Sequence, residues 1–206
     1  MRLFIAIAPD RAAVAGLEAL VADLRQRLGD QAAAYRWTFP ANAHITLHFL
    51  GDVGDAQLTR LRDALGTELP ARPFQVQSGG LAIFPVSGPP RVLSLSVRDG
   101  RETLGDIYRE LAARIRRAGL PIEDRPFAPH LTLARVREGE RHRGVRLRDR
   151  LASLGVEEVV GWTVRHVTLF RSDLSGPAPR YDAVQELGLT PPGADGVTRG
   201  AASRVQ

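Results

Sequence analysis

Cysteine and lysine are both missing from this chain of 206 residues. Without cysteine, the protein cannot form disulfides, use a thiolate nucleophile or hold zinc through sulfur ligands. Without lysine, it has no Walker-type phosphate loop, no Schiff base and no covalent lysyl-adenylate. These absences exclude several classes of enzyme, including ligases that work through an adenylated lysine.

Long apolar runs are missing as well, since no segment approaches the ~20 apolar residues of a membrane-spanning helix. The opening MRLFIAIAPD is a short apolar run that meets Asp10 at once, and no small-residue cleavage site follows it. It is therefore not typical of a signal peptide. We predict a first β-strand over residues 3–8, a cytoplasmic location and no membrane association.

The basic residues number 28, all of them arginine, and the net charge is +5. A basic surface attracts polyanions, so RNA or a phosphorylated ligand becomes a plausible partner. Eight basic side chains, His142 included, lie between Arg135 and Arg150. They fit contacts to an RNA backbone and an ordinary solvated loop and helix equally well.

Hydrophobic periodicity predicts that helices alternate with strands. Helices are expected over residues 11–28, 55–69 and 102–118. Strands are expected over residues 3–8, 44–50, 74–84, 91–97, 130–136, 164–171 and 181–187. The end of the chain is rich in Gly, Pro, Ala and Ser, so residues 189–206 are predicted to be a disordered tail, and residues 1–188 a single domain.

An internal echo divides the chain into two halves. FPANAHITL in the first half resembles PFAPHLTL in the second, and their histidines, His44 and His130, are 86 residues apart. Helices alternate with strands in both halves. We therefore predict a bilobal α+β fold with a pseudo-two-fold repeat, in which each lobe contributes one histidine strand to a central groove.

Residues two apart in a strand share a face, which pairs His44 with Thr46 and His130 with Thr132. Imidazole suits acid–base work near neutral pH, and a hydroxyl can donate to a phosphoryl oxygen. A lone His-x-Thr would be structural, but these two copies both follow a proline-containing turn. A third copy, at His166, lies inside a predicted strand, and we interpret it as structural.

Zinc is the alternative ligand for the segment HITLH, because His44 and His48 are four residues apart. They could share a metal on a helix, but the β-branched Ile45 and Thr46 favour a strand. In a strand, four residues span roughly 13 Å, which is too far for one zinc ion. We predict chemistry that requires no metal and no other cofactor.

The sequence resembles the two-histidine phosphoesterase superfamily and, within it, the bacterial and archaeal RNA 2',3'-cyclic phosphodiesterases. The resemblance covers residues 1–187. It rests on RLFIAI, HITLHFLG, residues 84–93, RPFAPHLTLAR, and VTLFRSDL with a later Tyr181. It implies two antiparallel sheets that line a central groove, with helices outside. It also implies hydrolysis of an RNA terminal 2',3'-cyclic phosphate to a 2'-phosphate.

The resemblance also implies the roles of individual residues. His44 matches the proton donor of the family and His130 its proton acceptor. Thr46 and Thr132 match the threonines that hold the phosphate, and Arg135 matches an arginine that assists them.

Strict alternation along the second histidine strand places Arg135 on the face opposite His130. Only a twist or a bulge near Ala134 would bring Arg135 to the phosphate. This role therefore depends on an irregularity that the sequence does not reveal.

Three aromatic side chains could stack on a base: Trp37, Phe84 and Tyr181. Core packing is favoured for Trp37 and Tyr181. Phe84 lies beside the Pro/Gly-rich loop PVSGPP and is a candidate substrate contact. The roles of His48 and of Ser94, which stands where relatives often have tryptophan, stay open.

The expected partners are RNA ends or small cyclic-phosphate nucleotides, with no obligate protein partner. Two alternatives stay open. The chain could act on a different phosphodiester, such as a 2'-5' linkage or a nucleotide cyclic phosphate. It could also be a non-catalytic RNA-binding or nucleotide-binding module of the same fold.

Overall fold

The structure, a computed structural model, describes residues 1–123, 126–143, 148–151, 153–156, 160–176 and 178–191, with the backbone alone for 141–143. The helices in these ranges are α1 (Arg11–Leu28), α2 (Asp55–Leu65) and α3 (Arg101–Arg117). The strands are β1 (Arg2–Ile7), β2 (Tyr35–Trp37), β3 (Ile45–Asp52), β4 (Glu68–Pro70), β5 (Phe74–Phe84), β6 (Val92–Asp99), β7 (His130–Val136), β8 (Gly161–Val164), β9 (His166–Asp173) and β10 (Arg180–Thr190). Among the described helices, none combines the length and apolar character that a membrane span needs.

Helix α1 has the bounds that its apolar periodicity predicts. Asp10 precedes the helix, and its carboxylate accepts a hydrogen bond from the backbone N–H of Ala13 at 2.9 Å, which satisfies one of the donors that a helix start leaves unpaired. Leu17 and Leu24 are buried. Gly29, at φ +55°, ends the helix.

Helix α2 is shorter than the predicted helix over residues 55–69. Gly66 adopts φ +65° and ends the helix after Leu65, a conformation that glycine tolerates without strain. The chain then forms strand β4, in which Leu69 is buried and pairs with Leu189 of β10. Tertiary pairing has overridden the helical pattern at these residues.

The predicted α+β class is confirmed, but the two expected sheets are joined into one. The described strands form a ten-stranded sheet in the order β4-β10-β9-β1-β3-β7-β6-β5-β8, and β2 pairs with β7 off this path. All pairs are antiparallel except β10 with β4. A single pair, Ile45 with Leu131, joins β3 to β7 at the centre. The predicted pair of lobes stays a prediction.

The expected strand over residues 164–171 is instead two strands, β8 and β9. They are separated by Arg165 alone, although β8 lies at one end of the sheet and β9 lies in its other half. Because two peptide units span only about 7 Å, the end of β8 must lie close to the start of β9. The sheet therefore curves so that its two halves approach each other.

The C-terminal strand extends past the predicted domain boundary at residue 188. Leu189 is buried, and β10 continues to Thr190. Residues 189 and 190 belong to this strand because a partner far along the chain, β4, pairs with them. Residues 192–206 of the predicted tail lie outside the described residues.

The two faces of the sheet differ in character. Leu3, Ile5 and Leu169 lie on the helix face, where they join one buried apolar cluster with residues of the three helices. Phe4 and Phe170 pair across β1 and β9, and their rings stack with centroids 5.3 Å apart on the opposite face. We call this second face the groove face.

Gly100, which caps α3, should tolerate no other residue. It adopts φ +85°, and a Cβ there would lie 2.6 Å from the backbone oxygen of Gln75. Gly100→Ala should lower the free energy of unfolding by about 1–3 kcal/mol, as measured by urea denaturation. The matched control is Gly105→Ala inside α3, where a Cβ meets nothing within 4 Å. That change should stabilise the protein by up to about 1 kcal/mol. Equal effects at the two sites would contradict this account.

Candidate active site

The first histidine strand, β3, contains a β-bulge just after its His-x-Thr segment. Thr46 pairs with Ala6 of β1. The preceding residue of β1, Ile5, pairs with His48 rather than with Leu47. Leu47 is thus an extra residue in the ladder, and a bulge of this kind offsets the alternation of side chains beyond it.

The second histidine strand, β7, contains a bulge at the equivalent position. Thr132 pairs with Ser94 of β6. The preceding residue of β6, Leu93, pairs with Ala134, so that Leu133 is the extra residue. The two bulged leucines are 86 residues apart, as are the two histidines. The internal echo of the sequence is therefore also an echo of strand geometry.

The bulge in β7 decides the position of Arg135. Strict alternation would point this side chain away from His130, but the extra residue returns it to the groove face. Arg135 is exposed, and its positive charge adds to the effect of burial in lowering the pKa of His44. The irregularity that the arginine's predicted role requires is present at the predicted place.

The pair Ile45–Leu131 brings the two His-x-Thr segments together. In an antiparallel pair centred on these residues, the neighbour of His44 across the strands is Thr132, and the neighbour of His130 is Thr46. All four side chains are partly exposed. Two imidazoles and two hydroxyls thus lie in one cluster on the groove face.

Both histidines use the same ring nitrogen to hold their position. Nδ1 of His44 lies 2.8 Å from the carbonyl oxygen of Asn42, and Nδ1 of His130 lies 2.7 Å from that of Ala128. A carbonyl oxygen only accepts, so Nδ1 carries a proton in each ring. Nε2 is consequently the atom of each imidazole that can take up or release a proton.

Burial lowers the pKa of His44 below its ordinary value. The carbonyl of Asn42 opposes this effect, while the positive charges of His130 and Arg135 reinforce it. In the free protein, His44 is therefore a stronger acid than an ordinary histidine. A bound phosphate would raise this pKa again, because its negative charge favours the imidazolium.

Aromatic rings stand beside both imidazoles. The ring centroid of His44 lies 4.9 Å from that of Phe4 and 5.3 Å from that of Tyr181, which meets it edge-on at 88°. The ring of Phe84 lies 4.9 Å from that of His130 and is half-exposed. Trp37 instead donates its Nε1–H to the carbonyl of Ala32 and packs on the core.

The sequence favoured core packing for Tyr181. This prediction was wrong, because the ring of Tyr181 lies beside that of His44. Burial raises the pKa of its phenol, which remains protonated near neutral pH and can donate a hydrogen bond. The pairing of Tyr181 with Ser172 in β9 places its ring beside His44. In the sequence, the single indication of this position was that Tyr181 follows the segment VTLFRSDL.

His48 lies on the helix face, away from His44. It is 4% exposed, its Nε2 lies 2.9 Å from the carbonyl oxygen of Tyr108, and its ring stacks on the Tyr108 ring at 4.2 Å. Tyr108 in turn stacks on Phe127 at 4.4 Å, three residues before His130. The bulge thus separates the two histidines of HITLH and gives His48 a packing role against Tyr108 of α3.

No zinc site forms from HITLH, because its histidines point to opposite faces of the sheet. Within the described ranges, no three His, Asp or Glu side chains come together in a way that could hold a metal ion. His166, the third histidine of a His-x-Thr segment, is exposed at the start of β9, where it pairs with Gly188. Its interpretation as a structural residue stays a prediction.

Three arginines of the arginine-rich stretch bond to backbone carbonyls elsewhere in the fold. Arg137 donates to the carbonyl of Ala33, Arg150 donates to that of Arg27, and Arg148 donates to two carbonyls of the Pro/Gly-rich loop. These three side chains therefore tie loops together. Residues 144–147 and the side chains of residues 141–143 lie outside the described part.

The sequence matches a known family over most of its length. Residues 9–176 match the 2'-5' RNA ligase superfamily. An RNA 2',3'-cyclic phosphodiesterase of Methanothermobacter thermautotrophicus is 34% identical over 194 residues, which are 92% of this chain and 99% of the relative. One of Aquifex aeolicus, with the same name, is 31% identical over 157 residues, or 75% and 81% of the two chains.

Solved structures share the fold. TT0787 of Thermus thermophilus superposes with a TM-score of 0.68 at 25% identity, covering 91% of this chain and 97% of the other. E. coli LigT in complex with 3'-AMP superposes with a TM-score of 0.72 at 24% identity, covering 92% and 98%. The arrangement of strands and helices therefore recurs in experimental structures.

The free energy of unfolding should decrease as the pH falls below ~7, in part because of His48. Burial lowers the pKa of His48 in the folded protein, whereas in the unfolded chain it is about 6.5. The unfolded state therefore binds more protons as the pH falls through this range. His48→Gln can still donate to the Tyr108 carbonyl but does not titrate, so its stability should fall less.

Urea unfolding at several values between about pH 7.5 and pH 5.5 measures this difference. The matched control is His166→Gln, because His166 is exposed and should leave the pH dependence at its wild-type size. A His48→Gln variant with the full wild-type dependence would show that the burial of His48 does not contribute to it.

Proposed function

Because the chain belongs to the 2'-5' RNA ligase superfamily, we propose that its groove hydrolyses an RNA terminal 2',3'-cyclic phosphate and leaves a 2'-phosphate. The predicted family is confirmed, since relatives named RNA 2',3'-cyclic phosphodiesterase match most of the chain. The observation that carries the proposal is the pair of imidazoles with identically anchored Nδ1 atoms, brought together by the Ile45–Leu131 pair.

In the proposed mechanism, the two Nε2 atoms perform opposite proton transfers. Nε2 of His130 takes a proton from water as the water oxygen attacks phosphorus. The bond from phosphorus to the 3'-oxygen breaks, and protonated Nε2 of His44 gives its proton to that oxygen. Each transfer contributes typically ~10²–10⁴-fold to the rate. No group outside this chain takes part in the proposed steps except water.

The phosphoryl oxygens carry the charge that the remaining groups would stabilise. The hydroxyls of Thr46 and Thr132 each stand beside an imidazole, where they can donate to these oxygens. Arg135 adds a charge-assisted contact from the same face. Phe84, half-exposed beside His130, offers a surface on which the terminal base can stack.

In this mechanism, the protonation state of His44 depends on the binding of the phosphate. His44 must be protonated to act as the acid, yet burial lowers its pKa in the free protein. A bound phosphate raises that pKa and so creates the acid where it is needed. The rate should be bell-shaped in pH, because turnover needs a protonated His44 and a neutral His130. The bell should lie at lower pH in kcat/KM, which reports the free protein, than in kcat, because a bound phosphate raises the pKa of His44.

Turnover of a short RNA that ends in a 2',3'-cyclic phosphate should persist in EDTA and yield a 2'-phosphate. His44→Ala and His130→Ala should each lower the rate by ~10²-fold or more, because each removes one proton transfer. His166→Ala is the matched control and should retain most of the activity. The position of the phosphate in the product is read by NMR or by enzymatic digestion.

Two results would contradict this assignment. One is a loss as large in His166→Ala as in the other two variants, with the protein still folded. The other is loss of turnover in EDTA that a divalent cation restores. Cleavage of a 2'-5' linkage with no action on the cyclic phosphate would support the alternative activity of the same site.

A sulfur leaving group should distinguish the acid from the base. When sulfur replaces the 3'-oxygen, the leaving group departs readily without a proton, so His44→Ala should regain much of its lost rate. His130→Ala should not, because water still has to be activated. The rates of both variants are compared on the oxygen and the sulfur substrates. Rescue of His130→Ala alone would reverse the two roles.

A further inference from the structure

A second arginine, Arg36, stands directly beside Arg135. In the ladder between β2 and β7, these two residues are Cα partners. Directly opposed residues in an antiparallel pair project from the same face of the sheet. Arg36 is therefore on the groove face, and like Arg135 it is exposed. Sequence alternation could not reveal this neighbour, because 99 residues separate the two arginines in the chain.

Arg36 and Arg135 place like charges at directly opposed positions of the ladder. In the described part of the chain, neither of them forms a salt bridge with a carboxylate. Like charges directly opposed across two strands destabilise a sheet. An anion bound between or beside them would remove that repulsion and gain charge-assisted hydrogen bonds. The pair has the character of a site whose ligand has more than one negative charge.

A cavity of about 500 Å³ lies along strand β2, and Arg36 is among the residues that line it, whereas Arg135 is not. Arg36, Trp37 and Phe39 line it, together with Arg25 of α1 and Arg137. Phe39 is 62% exposed, which is unusual for a phenylalanine in a soluble fold. The cavity has the size of a small-ligand site, and it combines arginines with an exposed aromatic ring, as single-stranded nucleic acid sites do.

We propose that Arg36 and Phe39 form a subsite for the nucleotide that precedes the RNA end. The guanidinium of Arg36 binds the phosphate on the 5' side of the terminal nucleotide, while Arg135 binds the cyclic phosphate. The ring of Phe39 provides a stacking surface for the preceding base. This inference rests on the proposed function, and it implies that the site selects oligonucleotides over mononucleotides.

The test compares adenosine 2',3'-cyclic phosphate, which lacks the second phosphate, with a trinucleotide that ends in the same group. In Arg36→Gln, the ratio of the trinucleotide KM to the mononucleotide KM should rise roughly tenfold, because one charged contact is lost. Arg135→Gln should raise both KM values and leave the ratio near its wild-type value. Arg101→Gln, an equal charge change at the exposed start of α3, is the control and should leave the ratio unchanged.

Salt dependence gives a readout that a purely structural role would not change. The logarithm of the trinucleotide affinity should fall with the logarithm of salt concentration less steeply in Arg36→Gln than in wild type, by about 0.7 for one lost phosphate contact. Phe39→Ala should weaken trinucleotide binding by roughly fivefold or more, without changing that slope. An unchanged KM ratio in Arg36→Gln, or an unchanged salt slope, would overturn the subsite.

Binding of a trinucleotide that ends in a 2'-phosphate separates this inference from the proposed function. Fluorescence anisotropy measures it without turnover. If wild type turns over neither cyclic substrate but Arg36→Gln still weakens trinucleotide binding roughly tenfold, the proposed hydrolysis fails and the subsite stands. If wild type hydrolyses both substrates but Arg36→Gln binds the trinucleotide like wild type, the subsite fails alone. Thermal unfolding verifies that each variant is folded.

Discussion

The pairing of Ile45 with Leu131 is the contact on which the site depends. It is the single ladder pair that joins the two halves of the described sheet, and both side chains are fully buried. Because side chains alternate along a strand, burying these two residues on the helix face directs the flanking histidines and threonines to the groove face. The same strand register thus fixes both the core packing and the geometry of the site. A shift of one residue along a strand would turn its buried side chain to the groove face and its histidine to the helix face.

The paired bulges give two similar strands different side chains beyond their histidines. After the extra leucine, β3 places His48 on the helix face and Phe49 on the groove face, whereas β7 places Ala134 and Arg135 at the same two positions. The second histidine strand therefore has a cation, Arg135, after its bulge, whereas the first has the uncharged Phe49 at the equivalent position. Such asymmetry places a guanidinium near one end of the cluster only, and the proposed acid and base roles require a difference of this kind between the two histidines.

The groove is bounded by groups that restrict what can bind there. Aromatic rings flank both imidazoles, with Tyr181 and Phe4 on one side and Phe84 on the other. These rings present apolar surfaces, while the threonines and arginines provide donors and positive charge between them. An anionic group attached to a flat ring matches this combination, and a nucleotide has both features.

The sequence by itself determined the α+β class and the bounds of α1, β5 and β7, and it predicted the histidine pair, because these follow from local periodicity and turn chemistry. It left open the face of Arg135, the surroundings of Tyr181 and the position of Arg36. A β-bulge and a ladder register are properties of two strands that lie far apart in the chain, so no local pattern contains them. Tertiary structure alone decided which side chains stand beside His44 and His130.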